Sequence, residues 1–111
     1  AHTKNQDIDK ALADFYKVIL LRPKYVKAYN NRGAIHSYRQ ETDKAILDFR
    51  KAITLDPQYR AAYKNRATMY DRKSEYKKSL SDWIRFKELG GEVEDEFLRE
   101  LKEKAAGQVG R

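Results

Sequence analysis

Through most of the chain apolar residues return every three or four positions, and short polar or Pro/Gly-containing stretches interrupt the recurrence. That period predicts amphipathic helices over about Ile8 to Leu21, Val26 to Tyr38, Thr42 to Leu55, Arg60 to Arg72, Glu75 to Leu89 and Glu92 to Ala106. In the first of these, Ile8, Leu12, Phe15 and Ile19 form one stripe, and Asp7 or Asp9 is placed to cap its start. Pro23 ends that helix and opens the next, and Asp56-Pro57 repeats the arrangement with an added N-cap carboxylate. Gly90-Gly91 closes the fifth helix with residues that tolerate positive φ. The linkers are short, so neighbouring helices must run antiparallel.

The pattern repeats itself. Shifted by 34 positions, Tyr25, Ala28, Tyr29, Asn31, Arg32, Lys44, Asp48 and Leu55 return as Tyr59, Ala62, Tyr63, Asn65, Arg66, Lys78, Asp82 and Leu89. Shifted the other way, Ala45, Phe49, Leu55 and Pro57 return as Ala11, Phe15, Leu21 and Pro23. A period of this size predicts stacked helical hairpins rather than one globular core. Gly33, Ala67, Ala45 and Ser79 supply little bulk where backbones must approach, while Tyr29, Tyr63, Phe49 and Trp83 fill the space between units.

The recurring residues resemble the tetratricopeptide repeat pattern over about residues 1 to 91. The middle unit carries Tyr29, Gly33, His36, Ala45, Phe49 and Pro57; the third carries Tyr63, Ala67, Tyr70, Ser79 and Trp83, with Gly91 in place of Pro; the first retains His2, Ala11, Phe15 and Pro23. The resemblance implies an all-α fold, a right-handed α-solenoid of helix-turn-helix repeats. Its units are expected at 1–25 (the second half of a truncated repeat), 26–59 and 60–91 (complete repeats), followed by a C-terminal capping helix at 92–106 and a tail at 107–111. A first helix without its hairpin mate would expose apolar surface, which implies either further chain on the N-terminal side or a partner covering that edge.

Charge changes the picture modestly. The net charge is +7 in a chain that is 37% charged, and Glu92, Glu94, Asp95, Glu96, Glu100 and Glu103 crowd the last segment, leaving the repeats more basic than the whole. Acidic partners are therefore favoured in the encounter. No cysteine is present, which excludes disulfides and thiolate metal sites and agrees with a cytoplasmic setting. No run of eighteen apolar residues and no charged-then-apolar leader occurs, so neither a membrane span nor a signal peptide is expected.

Three sets of residues are candidates for chemistry. The histidines, His2 and His36, occupy equivalent positions that Tyr70 takes in the third unit, so an aromatic packing role accounts for all three better than catalysis or metal binding. With no nucleophile-base pair, phosphate loop or ligand cluster, neither an enzyme nor a cofactor is expected. Arg32 and Arg66 stand where the resemblance would place Leu; Asp14, Asp48 and Asp82 recur at matching spacing, so an Arg-Asp pair joining the two helices of a unit is expected.

The third set is a groove. The resemblance implies that the first helix of each unit lines a concave surface, bringing Lys27, Asn30, Asn31, Ala34, Ser37 and Tyr38 beside Ala61, Lys64, Asn65, Thr68, Asp71 and Arg72, with Thr3 and Lys4 as the remnant of the first unit. Asn31 and Asn65 correspond to an asparagine ladder by which some superhelical members hold a peptide backbone, because an amide both donates and accepts; plain tolerance of Asn on a helix surface accounts for the pair equally well. The carboxylate clamp of chaperone-binding members is not matched: with Asn31 as its middle residue, Ala61 and Asn65 stand where Lys and Arg are required, and the other register puts Asn30 and Ala34 where Lys and Asn are required. Two inner helices, each about 10 Å wide, would present roughly 20 Å, or about six residues of extended chain.

The expected function is thus a protein-interaction scaffold that binds an extended, acidic peptide, with no small-molecule substrate. Two alternatives compete. One is binding of a polyanion, nucleic acid or acidic membrane, through Lys44, Arg50, Lys51, Lys77, Lys78, Arg85 and Lys87 on the outer helices, although charge of this kind more often marks a solvated face. The other is self-association, as a homo-oligomer, through the incomplete first repeat.

Overall fold

The computed structural model describes residues 3–107, and their regular structure is entirely helical. The helices are α1 (Lys4–Leu21), α2 (Val26–Tyr38), α3 (Thr42–Leu55), α4 (Arg60–Arg72), α5 (Tyr76–Glu88) and α6 (Asp95–Gly107). Each packs on the next in chain order, and α2 also meets α4, which makes a helical repeat solenoid of 47 × 28 × 24 Å. His2 and residues 108–111 lie outside the described residues.

The turn inside each hairpin is a Schellman motif. Glu41 N–H bonds the His36 carbonyl and Gln40 N–H the Ser37 carbonyl; Glu75 with Tyr70 and Ser74 with Asp71 repeat the pair, and Gly91 with Phe86 and Gly90 with Lys87 do so again after α5. The residue at the bend must be left-handed, with φ of 63° at Gln40, 58° at Ser74 and 96° at Gly90. Between hairpins a different device recurs. The Tyr29 hydroxyl donates to the Pro23 carbonyl at 2.8 Å and the Tyr63 hydroxyl to the Pro57 carbonyl at 2.9 Å, so each central tyrosine fastens the linker that precedes its own helix.

Several expectations about helix ends need correction, beginning with α5, which runs Tyr76–Glu88 with Glu75 and Leu89 as its caps. Helix α1 starts at Lys4, four residues early, because Thr3 and Gln6 form a reciprocal capping box; neither Asp7 nor Asp9 caps it. Its residues Asn5 to Asp7, equivalent to the turn at 39–41, therefore remain helical. Pro23 and Pro57 sit in the linkers, ahead of the helix starts, and Asp56 accepts from Gln58 N–H within the linker, while Tyr59 occupies the N-cap of α4 without a side-chain bond. Finally, α6 begins at Asp95, after a non-helical stretch from Gly91 to Glu94.

Packing follows the small-against-large logic. A Cβ on Gly33 would lie 2.6 Å from Phe49 Cε1, so the ring occupies the space that a side chain on α2 would need. Ala45, Ile46, Phe49 and Met69 form one buried cluster with Tyr70 against it, and Tyr29, Ala52 and Ala62 form a second, bridging units through Ile19, Val26, Ile53, Leu55 and Tyr59. At the far end α6 buries Leu98, Leu101 and Ala105. Trp83 meets Phe86 and Phe97 edge-on at 5.7 and 5.2 Å, which seats α6 on α5. In contrast, α1 has no fully buried residue, and Tyr16, Leu20 and Leu21 are exposed.

Candidate interaction surface

The groove candidates lie on α2 and α4, which run side by side and are tied at two levels. Asn65 Nδ2 donates to Asn30 Oδ1 at 3.1 Å, and Arg72 Nη1 donates to the Ser37 carbonyl at 3.0 Å with Nη2 at 3.4 Å from Ser37 Oγ. Asn30, Asn65 and Arg72 therefore help hold one unit to the next. Asn30 is only 7% exposed, which leaves it little surface to offer a ligand.

The remaining candidates are more accessible. Lys27, Ala34, Tyr38, Lys64 and Thr68 are exposed, and Asn31, Ser37, Ala61 and Asp71 are half-buried. Lys64 Nζ lies 5.8 Å from the Phe86 ring centroid, and Thr68 Oγ1 donates to the Lys64 carbonyl within the same helix. From α1, Lys4 Nζ stands 4.8 Å over the Tyr38 ring; Lys4, Ile8, Ala34, Ile35 and Tyr38 line an apolar pocket of about 280 Å³. Thr3, the other first-unit candidate, is occupied as the α1 cap.

The electrostatic frame lies behind this strip. Arg32 grips Asp48 bidentately, Nε to Oδ2 at 2.8 Å and Nη2 to Oδ1 at 2.7 Å, and Arg66 grips Asp82 with both distances at 2.8 Å. The carboxylates are 5% and 4% exposed, so the guanidinium is the partner that keeps a buried negative charge tolerable. The hydrogen bond to Asp48 raises the Arg32 pKa and that to Asp82 raises the Arg66 pKa, against burial acting the other way. Asp14, the equivalent carboxylate in α1, is exposed.

His36 is half-buried in the position expected for an aromatic, and its Nδ1 lies 3.0 Å from Glu41 Oε1. That contact, followed by the Lys44 hydrogen bond, lowers the Glu41 pKa. Among the described residues no group of three or more His, Cys, Asp or Glu side chains is arranged to hold a metal ion. Of the outer cations, Lys44 pairs with Glu41, Lys78 with Glu75, Arg85 with Glu88 and Lys87 with Asp95, which weakens the case for a polyanion surface there. No helix among the described residues is long and apolar enough to cross a membrane.

Besides the Asn30–Asn65 and Ser37–Arg72 ties, two inter-unit ion pairs are absent from the sequence expectations. Arg39 pairs with Asp9, and 34 residues later Lys73 pairs with Asp43 at 2.8 Å. The Asp9/Asp43 correspondence was visible; that Arg39 and Lys73 also correspond was the signal that would have revealed the pair.

The sequence model of the tetratricopeptide repeat family matches residues 26–59. No curated protein matches the chain. Among solved structures it is similar to the TPR2B domain of yeast Sti1 in its complex with pHsp70, at 27% identity and TM-score 0.76, covering 94% of this chain and 86% of that one. It shares its fold with the first TPR domain of human RPAP3, at 21% identity and TM-score 0.81 with 94% and 84% covered. The TPR domain of Arabidopsis OM64 aligns at 22% identity and TM-score 0.76, with 96% and 86% covered. The repeat register, the hairpin stack and these likenesses agree: residues 26–59 match a tetratricopeptide repeat, and the chain as a whole has the fold of tetratricopeptide repeat domains.

Proposed function

We propose that the protein is a protein-interaction scaffold that holds an extended peptide segment along the strip formed by α2 and α4. The observation that carries this reading is the pair of bonds Asn30–Asn65 and Ser37–Arg72. They fix two parallel inner helices into one continuous surface before any ligand arrives, which lowers the ordering cost of binding. Lys27, Asn31, Tyr38, Lys64 and Thr68 supply two cations, an amide, a ring and a hydroxyl along that surface. The similar domain of yeast Sti1 was solved with pHsp70, which supports a protein or peptide as the class of partner.

Lys27 and Lys64 favour acidic side chains in the segment. Asn31 is the amide left to meet a peptide backbone, since Asn65 is engaged with Asn30. A terminal-carboxylate clamp is not favoured, because Ala61 brings no charge and Asn65 no cation to the required places. Display of random heptapeptides on wild type and on a Lys27→Ala, Asn31→Ala double variant tests the assignment. Peptides captured by wild type should lose most of their affinity for the variant, while thermal unfolding is unchanged. Capture that is equal for both proteins would remove the groove from consideration.

A further inference from the structure

The link between α2 and α4 has no counterpart between α4 and α6. Ser37 accepts from Arg72, 35 positions ahead. Asp71 is the repeat equivalent of Ser37, and the position 35 ahead of it is Ala106, which carries no donor. Consistent with the missing tie, α6 packs on α5 without approaching α4 as α2 does. A pocket of about 190 Å³ opens in the gap, lined by Asp71, Tyr76, Phe97, Glu100, Leu101 and Lys104.

Asp71 lines this pocket, and its Oδ1 is buried with no hydrogen-bond partner. A carboxylate oxygen withdrawn from water without a donor is costly, and such exceptions call for an explanation. Lys104, the one cation among the lining residues, has its Nζ 5.6 Å from the Tyr76 ring centroid and makes no ion pair with Asp71 or Glu100. The pocket thus joins an unsatisfied carboxylate, a second carboxylate and two aromatic rings in a volume suited to one side chain, well below the ~300 Å³ or more of usual small-molecule sites.

We propose that this pocket receives a single arginine side chain from the bound peptide, its guanidinium taking at Asp71 the place that Arg72 takes at Ser37. Guanidinium is planar, rich in donors, weakly hydrated and able to stack on rings, which matches each lining group. The proposal rests on the peptide-binding reading and adds a specificity to it. An acidic segment would run over Lys27 and Lys64, and one basic residue would mark the end held beside α6, fixing the direction of the peptide.

The test uses the whole chain and two arms. In the first, ¹H–¹⁵N correlation spectra are recorded during titration with N-acetyl-arginine methylamide or, as control, the norleucine analogue. The arginine probe should give saturable shifts confined to amides near Asp71, Phe97, Glu100 and Lys104, and the norleucine analogue none. Asp71→Asn, checked for an otherwise unchanged spectrum, should weaken the probe by about tenfold or more; Lys104→Met, which removes the competing cation, should not weaken it. Absent or delocalised shifts, or equal binding to Asp71→Asn, would overturn the pocket.

The second arm repeats heptapeptide display on wild type and Asp71→Asn. A recurrent arginine in the peptides selected by wild type that vanishes with the variant supports the proposal. Selected peptides that depend on Lys27 and Asn31 but contain no preferred arginine overturn the pocket and leave the groove standing. Localised probe binding together with peptides indifferent to Lys27 and Asn31 removes the groove and leaves the pocket.

Discussion

Asn65 donates its side-chain amide to Asn30 Oδ1 at 3.1 Å, so one asparagine from each inner helix is committed to the other. Removing the donor leaves the buried Asn30 oxygen without a partner, which costs about 1–3 kcal/mol, whereas the bond itself is worth only about 1 kcal/mol. Asn65→Ala should accordingly lower the urea midpoint, and a cycle with Asn30→Ala should return a coupling of about 0.5–1.5 kcal/mol. A vanishing coupling would show that the two amides act separately.

The Arg–Asp grips lead to an asymmetric expectation. Arg32→Ala leaves buried Asp48 with only His36 Nε2, 3.8 Å away, and Arg66→Ala leaves Asp82 uncompensated; each should cost about 3–5 kcal/mol, a large part of a small domain's stability. Replacing both members, as in Arg32→Met with Asp48→Leu, should cost far less. Denaturant melts of the single and paired variants check this; an Arg32→Ala protein with an unchanged midpoint would refute the structural role.

Gly33 and Gly91 should resist any side chain. A Cβ at Gly91 would lie 2.3 Å from Phe86 Cε2, closer than the 2.6 Å contact of Gly33 with Phe49. Alanine at either site is expected to lower stability by about 1–3 kcal/mol through displaced rings. For Gly91→Ala the loss should appear in near-ultraviolet signals of the adjacent Trp83, because Phe86 is one of its two edge-on partners.

Acid should act through Glu41. Its folded pKa lies below the ordinary 4.5, chiefly through His36 and then Lys44. A depressed carboxylate pKa means that the unfolded chain takes up the proton first; the stabilisation is complete above about 4.5 and is lost as pH falls through the folded value. Glu41→Gln should flatten the fall in melting temperature over that acid window. Equal acid slopes for the two proteins would refute the linkage.

Much of this fold was readable because the 34-residue register multiplies each weak signal: Tyr29 and Tyr63, or Arg32 and Arg66, each corroborate the other. The boundaries of α2, α3 and α4 and the two Arg–Asp pairs follow from that register. The repeat pattern starts α1 too late because it makes residues 5–7 a turn, whereas local capping by Thr3 and Gln6 keeps them helical. Side-chain bonds between units are the least legible. Asn30 and Asn65 are not repeat equivalents, so no correspondence in the sequence announces their contact, and the unpartnered Oδ1 of Asp71 emerges only once α6 is seen to keep its distance from α4.

Helix α1 alone withdraws no side chain fully from water, and its hold on the array is correspondingly light. Opening should therefore be graded along the molecule, with the amides of α1 trading deuterium first and those of α3 and α4, enclosed on both sides, surrendering it last. Anything that settled over Tyr16, Leu20 and Leu21 would slow the exchange clock at this end while leaving α6 untouched, so the direction from which an occupant approaches would be written in the order of protection.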